Sequence, residues 1–358
     1  MEKKDVKITN YEGNGKYAYS AQDGSIGDLY ITVPLATKLV SKLPWWVPAN
    51  IITIISNSNV LLATVIAFTA HRVSWPIWIF IPILYFIYVI GDAMDGLQAR
   101  RTKTGSPLGE FTDHFLDTFV TGLLEVTIFF VYRFDKVYLI SITLMLGYFM
   151  QITAFWERYK LGHLSFGKFS STDALICLPL FIAAGFIKPV NAFFTQPVAN
   201  FIPVLAQFNL SLIESITIIA GICSIYISAS TLIRTKEVSW RFFLYMAESL
   251  ILSLVAATLE QEDIVIIVIT LILFHVNFSA AMLSAIVMKE KDPVPDIILT
   301  IAMTLTLIFN VHNPVLYTVY FMYLVMSVTI RVARFFKKNE QYWVWRNPEL
   351  KEEETEQK

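Results

Sequence analysis

Long apolar runs separated by short polar ones organise this chain. They fall at 50–70, 75–91, 115–132, 137–156, 173–187, 210–233, 242–259, 264–288, 296–310 and 314–332. A helix needs about 20 mostly apolar residues to cross the hydrocarbon core of a bilayer. Most runs approach that length, and the fifth and ninth are shorter. The pattern predicts an all-α polytopic membrane bundle of about ten transmembrane helices. Residues 188–209 place Pro189, Pro197 and Pro203 among apolar neighbours and read as a connecting loop at the membrane interface. Ahead of the first run, residues 26–43 mix apolar positions with Lys38 and Lys42, Pro34 interrupts them, and Trp45 and Trp46 follow. That is the pattern of a short interfacial helix feeding the first span. The first 20 residues are polar and hold no apolar h-region, so no cleavable signal peptide is expected. No internal repeat of the kind found in many transporters is visible.

Composition supports the same class. Of 358 residues, 55% are hydrophobic and only 16% charged, against about 25% in soluble domains. The 27 Phe and 16 Tyr exclude a disordered chain. A formal charge of −1 leaves no basic footprint for nucleic acid. Cys177 and Cys223 lie in apolar stretches, so they read as small packing residues and not as a disulfide.

The distribution of charge carries more. Connections after the even-numbered runs hold eleven Lys or Arg, among them Arg100, Arg101, Arg158, Lys160 and Arg234. Those after odd-numbered runs hold four: Arg72, Arg133, Lys136 and Lys188. The basic side is expected to be cytosolic, and both ends of the apolar region fall on it. The acidic stretch 349–358 reads as a solvated tail.

Acidic residues depart from this solvent-seeking distribution in one 26-residue window, 92–117. Asp92 and Asp95 close the second predicted span, and Asp113 and Asp117 open the third. Separations of three and four put each pair on one helix face. A short connection makes the two helices antiparallel neighbours, so the carboxylates converge at one depth. Four carboxylates near an apolar boundary repel one another and lose hydration. Oxygen-only ligands of this kind suit a hard divalent cation, Mg²⁺ or Mn²⁺. Gly96, Ala99 and Gly109 present little side chain toward the same cleft, letting backbone approach a ligand. Arg100 offers a planar fork for phosphate oxygens. Metal ligands, small residues and an Arg together describe a diphosphate site, where transfer chemistry depends mainly on positioning and charge neutralisation.

These residues, with every spacing kept, match the signature Asp-x2-Asp-Gly-x2-Ala-Arg-x8-Gly-x3-Asp-x3-Asp. The chain therefore resembles the CDP-alcohol phosphotransferase family. Further segments are similar to its choline/ethanolamine phosphotransferase branch: Trp156-Glu157-Arg158-Tyr159 continuing to Gly167, Lys16-Tyr17 with Tyr19, Asp23 and Ser25, and Asn50-Ile51-Ile52-Thr53. The chain departs from the branch at Phe115 and Leu116, where Gly-Cys is usual. It departs also at Leu97, where Lys is common, and in the insertion of Ala49 between Pro48 and Asn50.

The resemblance implies a catalytic core over 48–233, preceded by a cytosolic segment at 1–47 and followed by further spans at 234–335 and a tail at 336–358. It implies transfer of phosphocholine or phosphoethanolamine from CDP-choline or CDP-ethanolamine to diacylglycerol with release of CMP, by a homodimer. Asp92, Asp95, Asp113 and Asp117 would be the metal ligands, and Gly96, Ala99, Arg100 and Gly109 the CDP-binding residues, with Asn50 at their edge. Asp117 and His114 are both candidate general bases. Adjacent helical positions point about 100° apart, which turns His114 off the Asp113 face. Glu157, Trp156 and Tyr159 are headgroup candidates, through an acid–cation pair and π faces. For each a structural role competes, as a paired helix-end acid or as interfacial aromatics. The same motif also serves phosphatidyltransferases that use CDP-diacylglycerol and a soluble alcohol. A cation or lipid transporter fits less well, because its acids would lie at the midplane. The site is placed at the cytosolic face, of endoplasmic reticulum or Golgi in a eukaryote and of the inner membrane in a bacterium.

Overall fold

The computed structural model describes residues 21–22, 26–73, 75–165, 171–260, 264–311 and 313–338. Two elements precede the first span: a two-residue strand β1 (Ala21–Gln22) and, after a π-helical turn, helix α1 (Val33–Val40). Pro34 falls in the first turn of α1, where a missing N–H costs no helical bond, so it starts the helix and does not interrupt it. Helices α2 (Ala49–Thr69), α3 (Phe80–Arg101), α4 (Pro107–Val131) and α5 (Val137–Leu161) follow. Strand β2 (Leu164–Ser165) pairs parallel with β1, tying the amino-terminal segment to the end of α5. The remaining helices are α6 (Ser171–Ala184), α7 (Lys188–Thr195), α8 (Leu212–Thr235), α9 (Trp240–Ala256), α10 (Ile264–Met288), α11 (Ile297–Ile308) and α12 (Pro314–Lys338).

Helix boundaries follow local chemistry. Ser106 caps α4 by accepting from the Gly109 N–H at 3.2 Å, with Pro107 at the first helical position. Ser211 and Glu214 form a capping box at the start of α8. The carboxyl end of α5 closes on Gly162 at φ +77°, a conformation that favours glycine.

Every apolar run forms a helix, but fewer than ten are full spans. Seven are long and apolar enough to cross a membrane, or eight if the bent pair Thr172–Ala184 and Lys188–Thr195 counts as one. The pair bends by 105°, so the proline-rich stretch begins as a helix lying across the direction of α6. At 17 residues α9 falls just short, and α11 has only 12, about 18 Å of helix against a hydrocarbon core of about 30 Å.

The core is helix against helix. α10 is central: 72% of its apolar window is buried, compared with 11% for α12. It packs on α4 and α5, and α2 packs along α3 and α4. Gly91 lets α2 approach α3, since a Cβ there would stand 2.5 Å from that of Ser56. His275 in α10 meets Tyr245 Oη at 2.7 Å and stacks on Tyr148, which is the interhelical bonding expected of a polar residue in mid-span. The two cysteines depart from expectation. Both are exposed on outward faces and pack no core.

Candidate active site

The connection between α3 and α4 is short, and its two flanking helix ends carry the acidic motif. Its tightness is maintained locally. The Thr102 and Thr104 hydroxyls bond each other at 2.8 Å, and the Thr104 N–H donates to the Ala99 carbonyl at 2.9 Å. The helix ends are therefore held face to face, and Asp92, Asp95, Asp113 and Asp117 lie close enough for their charges to interact. Asp95 is only 5% exposed and accepts from the Thr53 hydroxyl of α2. Asp117 accepts from Tyr88 Oη at 2.8 Å. Asp113 Oδ1 is buried with no hydrogen-bond partner among the described residues.

No positively charged side chain forms an ion pair with these four acids among the described residues. Like charges held at such proximity demand a cation, and a buried carboxylate oxygen without a donor is where one would bind. Asp113, His114 and Asp117 each place one ligand atom within 4.8 Å of the others, a group able to hold a metal ion. His114 thus belongs to the acidic cluster and is not turned away from it. It sits three residues before Asp117 on the same helix, and that neighbour relation outweighs the 100° step from Asp113. Asp92 and Asp95 reach the cluster from α3, outside this three-residue group.

The glycines and the arginine of the motif lie on the same helix ends as the acids. A Cβ on Gly96 would lie 3.5 Å from one Arg100 terminal nitrogen, so the guanidinium folds over the Gly96 backbone. Gly109 faces Asn50, whose Oδ1 would stand 3.2 Å from a Cβ there. Arg101, next in sequence, bonds the carbonyls of Val40 and Leu43 and lies over Trp45 at 4.2 Å. It anchors α1, whereas its neighbour Arg100 lies over Gly96.

The three headgroup candidates are committed elsewhere. Glu157 is buried and paired with Arg234 Nε at 2.9 Å, a partner 77 positions away on α8. Trp156 is fully buried, packs on Phe242 and donates to the Glu237 carbonyl at 3.1 Å. Tyr159 Oη accepts from the Asp292 N–H at 2.9 Å. All three stitch α5 to α8, α9 and the segment after α10. The hydrogen bond and charge of Lys160 also hold the exposed Glu237 carboxyl below its usual range, on the same seam.

Other residues join the site unannounced. Thr53 and Asn57 extend from Asn50 at spacings of three and four, giving α2 one polar stripe toward the acids. Tyr88 lies one turn before Asp92. Both were visible as polar interruptions of apolar helices. Asp28 comes near Asp92 from the turn before α1, and the Gly27 N–H donates to Asp173 Oδ1 of α6 at 2.7 Å. That approach joins residues 146 apart and has no local signal. The branch-like residues 16–19, Asp23 and Ser25, and the end of the Trp156 segment at 166–167, lie outside the described residues.

Residues 45–208 match the family model described as CDP-alcohol phosphatidyltransferase. Ethanolaminephosphotransferase 1 of Mus musculus is 34% identical over 173 residues, covering 44% of this chain and 43% of that protein. The Homo sapiens protein of the same name is 33% identical over 166 residues, 42% of each chain. Cholinephosphotransferase 1 of Mus musculus is 32% identical over 166 residues, 43% of this chain and 41% of that protein. The chain thus matches less than half the length of these curated relatives, and the family-model match at 45–208 holds the entire acidic motif. Converging carboxylates, the glycines beside them and this match fall on the same helices: residues 45–208 are similar to the CDP-alcohol phosphatidyltransferase family domain.

Proposed function

We propose that the protein is an integral membrane aminoalcohol phosphotransferase, moving phosphocholine or phosphoethanolamine from a CDP-linked donor to diacylglycerol. The observation that carries this reading is the cluster of four carboxylates at the facing ends of α3 and α4, within residues 45–208 that match the family model, in a chain similar to enzymes of those names. Asp92, Asp95, Asp113 and Asp117 would hold Mg²⁺ or Mn²⁺, with His114 adjacent. The ion supplies charge neutralisation on the diphosphate. Gly96, Ala99 and Gly109 let backbone approach the nucleotide, Arg100 takes a phosphate oxygen, and Asn50 borders the pocket.

In the reaction, the acceptor hydroxyl oxygen forms a bond to the phosphorus that bears the aminoalcohol. The bond from that phosphorus to the bridging oxygen breaks, and CMP leaves with the oxygen. The hydroxyl proton passes to a base. Tyr88 already donates to Asp117, which favours a fixed ligand role for Asp117. His114, in the same cluster, is then the base. The core at 48–233 would supply this chemistry at the cytosolic face, toward which the basic connections point. The enzyme would reside in endoplasmic reticulum or Golgi membranes of a eukaryote or the inner membrane of a bacterium, as a homodimer.

The test is a matrix of CMP release. With Mg²⁺ and diacylglycerol, CDP-choline or CDP-ethanolamine should release CMP, and omitting diacylglycerol should stop it. Release from CDP-diacylglycerol with inositol, serine or glycerol phosphate, and none from the aminoalcohol donors, would reverse the donor assignment.

A further inference from the structure

A cavity with polar groups in its walls lies outside the acidic site, between α10, the start of α11 and α12. Residues 290–296, the connection after the eighth apolar run on the basic side, are non-helical, and α11 begins at Ile297. Here Val294, Pro295 and Asp296 line one wall of a cavity of about 440 Å³, closed by Asn277 of α10 and by Tyr323 and Arg331 of α12. A smaller cavity of about 230 Å³ shares Tyr323, Ser327 and Arg331 with it and extends to Arg334.

The walls mix apolar side chains with polar groups that are incompletely satisfied. Asn277 is only 7% exposed, and its Oδ1 has no hydrogen-bond partner among the described residues. Arg331 Nε is likewise buried and unpartnered among them. Asp296 caps α11 through the Leu299 N–H and accepts from Tyr323 Oη, leaving lone pairs on both carboxylate oxygens. Arg331 lies at the end of the apolar run 314–332, two turns before the basic end of α12, where its long side chain reaches the cavity.

Depth and charge define the occupant. The cavity opens near the membrane surface shared with the acidic motif, because the loop before α11 bonds to Tyr159 at the end of α5. Its outer rim is apolar, with Ile298 82% exposed and Ile297 and Val294 beside it. One arginine and one aspartate line the larger cavity, and Arg334, which lines the smaller, pairs with Glu290 at 2.8 Å. The charges balance, which suits a ligand carrying both signs. We propose that the α10–α11–α12 cavity binds the headgroup of a zwitterionic membrane phospholipid, its phosphate on Arg331 and its ammonium on the Asp296 side. The acyl chains then run along the apolar rim.

This site is independent of the transfer reaction. The full chain, delipidated in detergent, is titrated with phosphatidylethanolamine and bound lipid is counted by native mass spectrometry. Phosphatidylglycerol, diacylglycerol and inorganic phosphate serve as comparison probes. One phosphatidylethanolamine per chain is expected, retained in Asp113→Asn and weakened about tenfold in Arg331→Ala and in Asn277→Leu. Arg331→Lys keeps the charge but not the fork, and covers the case in which Arg331→Ala does not fold. Equal retention in all cavity variants, or loss only in Asp113→Asn, would overturn the proposal. So would saturation by diacylglycerol or preference for phosphatidylglycerol. Conversion of a dimer to a monomer by Arg331→Ala with lipid retention unchanged would assign the cavity to a second copy of the chain instead.

Discussion

At the scale of single residues, the same side-chain type serves different ends according to what faces it. Asp113 has a carboxylate oxygen without a donor among the described residues, whereas Glu157 is paired with Arg234. Removing a charge from the first should relieve repulsion and remove a ligand. Asp113→Asn is expected to lower CMP release by at least about 100-fold. Its melting temperature in chelator should stay at or above that of the wild type. Saturating Mg²⁺, at about 100 times its dissociation constant, should stabilise the wild type by about 2.7 kcal/mol and the variant by less. A normal metal-induced shift in the variant would remove Asp113 from the metal site. Glu157→Ala should act oppositely, costing about 1–3 kcal/mol because a buried pair is broken while the half-exposed Arg234 regains water. The KM for the aminoalcohol donor should not change. Tyr88→Phe removes the donor to Asp117 and should weaken Mg²⁺ dependence about 10- to 100-fold without unfolding the protein.

At the scale of elements, the site depends on how closely α2 lies along α3. Thr53 reaches Asp95 across that contact, and Gly91 sets its spacing through Ser56. Gly91→Ala places a methyl group where Ser56 already stands, an overpacking worth about 1–3 kcal/mol. Expected with it is a fall in kcat out of proportion to the stability change, since Gly91 is one turn from Asp95 but its displacement moves Thr53. A variant with lowered stability and unchanged kcat would mean that the contact is merely structural. Much at this scale was legible beforehand. The apolar runs marked the helices, and spacings of three and four put the carboxylates on shared faces because helical periodicity is local. Full span count was not legible to the same degree, since the short run at 296–310 was visible but the 105° bend between α6 and α7 is not encoded in hydropathy.

At the scale of the whole molecule, the amino-terminal and carboxyl-terminal parts share one core. Gly122 of α4 accommodates Ile272 of α10 so closely that a Cβ would approach it to 2.9 Å, and Tyr148 of α5 stacks on His275. A chain ending at residue 233 would retain the whole acidic motif but expose those surfaces. It is expected to lose the cooperative unfolding transition and CMP release together, measured by thermal unfolding and by the donor assay. A stable, active fragment would show that the later helices are dispensable. The sequence by itself determined the membrane class, the helix positions and the convergence of four acids, because each depends on periodicity or on a short connection. Tertiary structure alone decided that Glu157 answers Arg234, that Thr53 and Tyr88 hold the acids, and that α10, α11 and α12 border a cavity with polar groups in its walls. Those pairings join segments tens of residues apart, and no local pattern encodes which helix faces will meet.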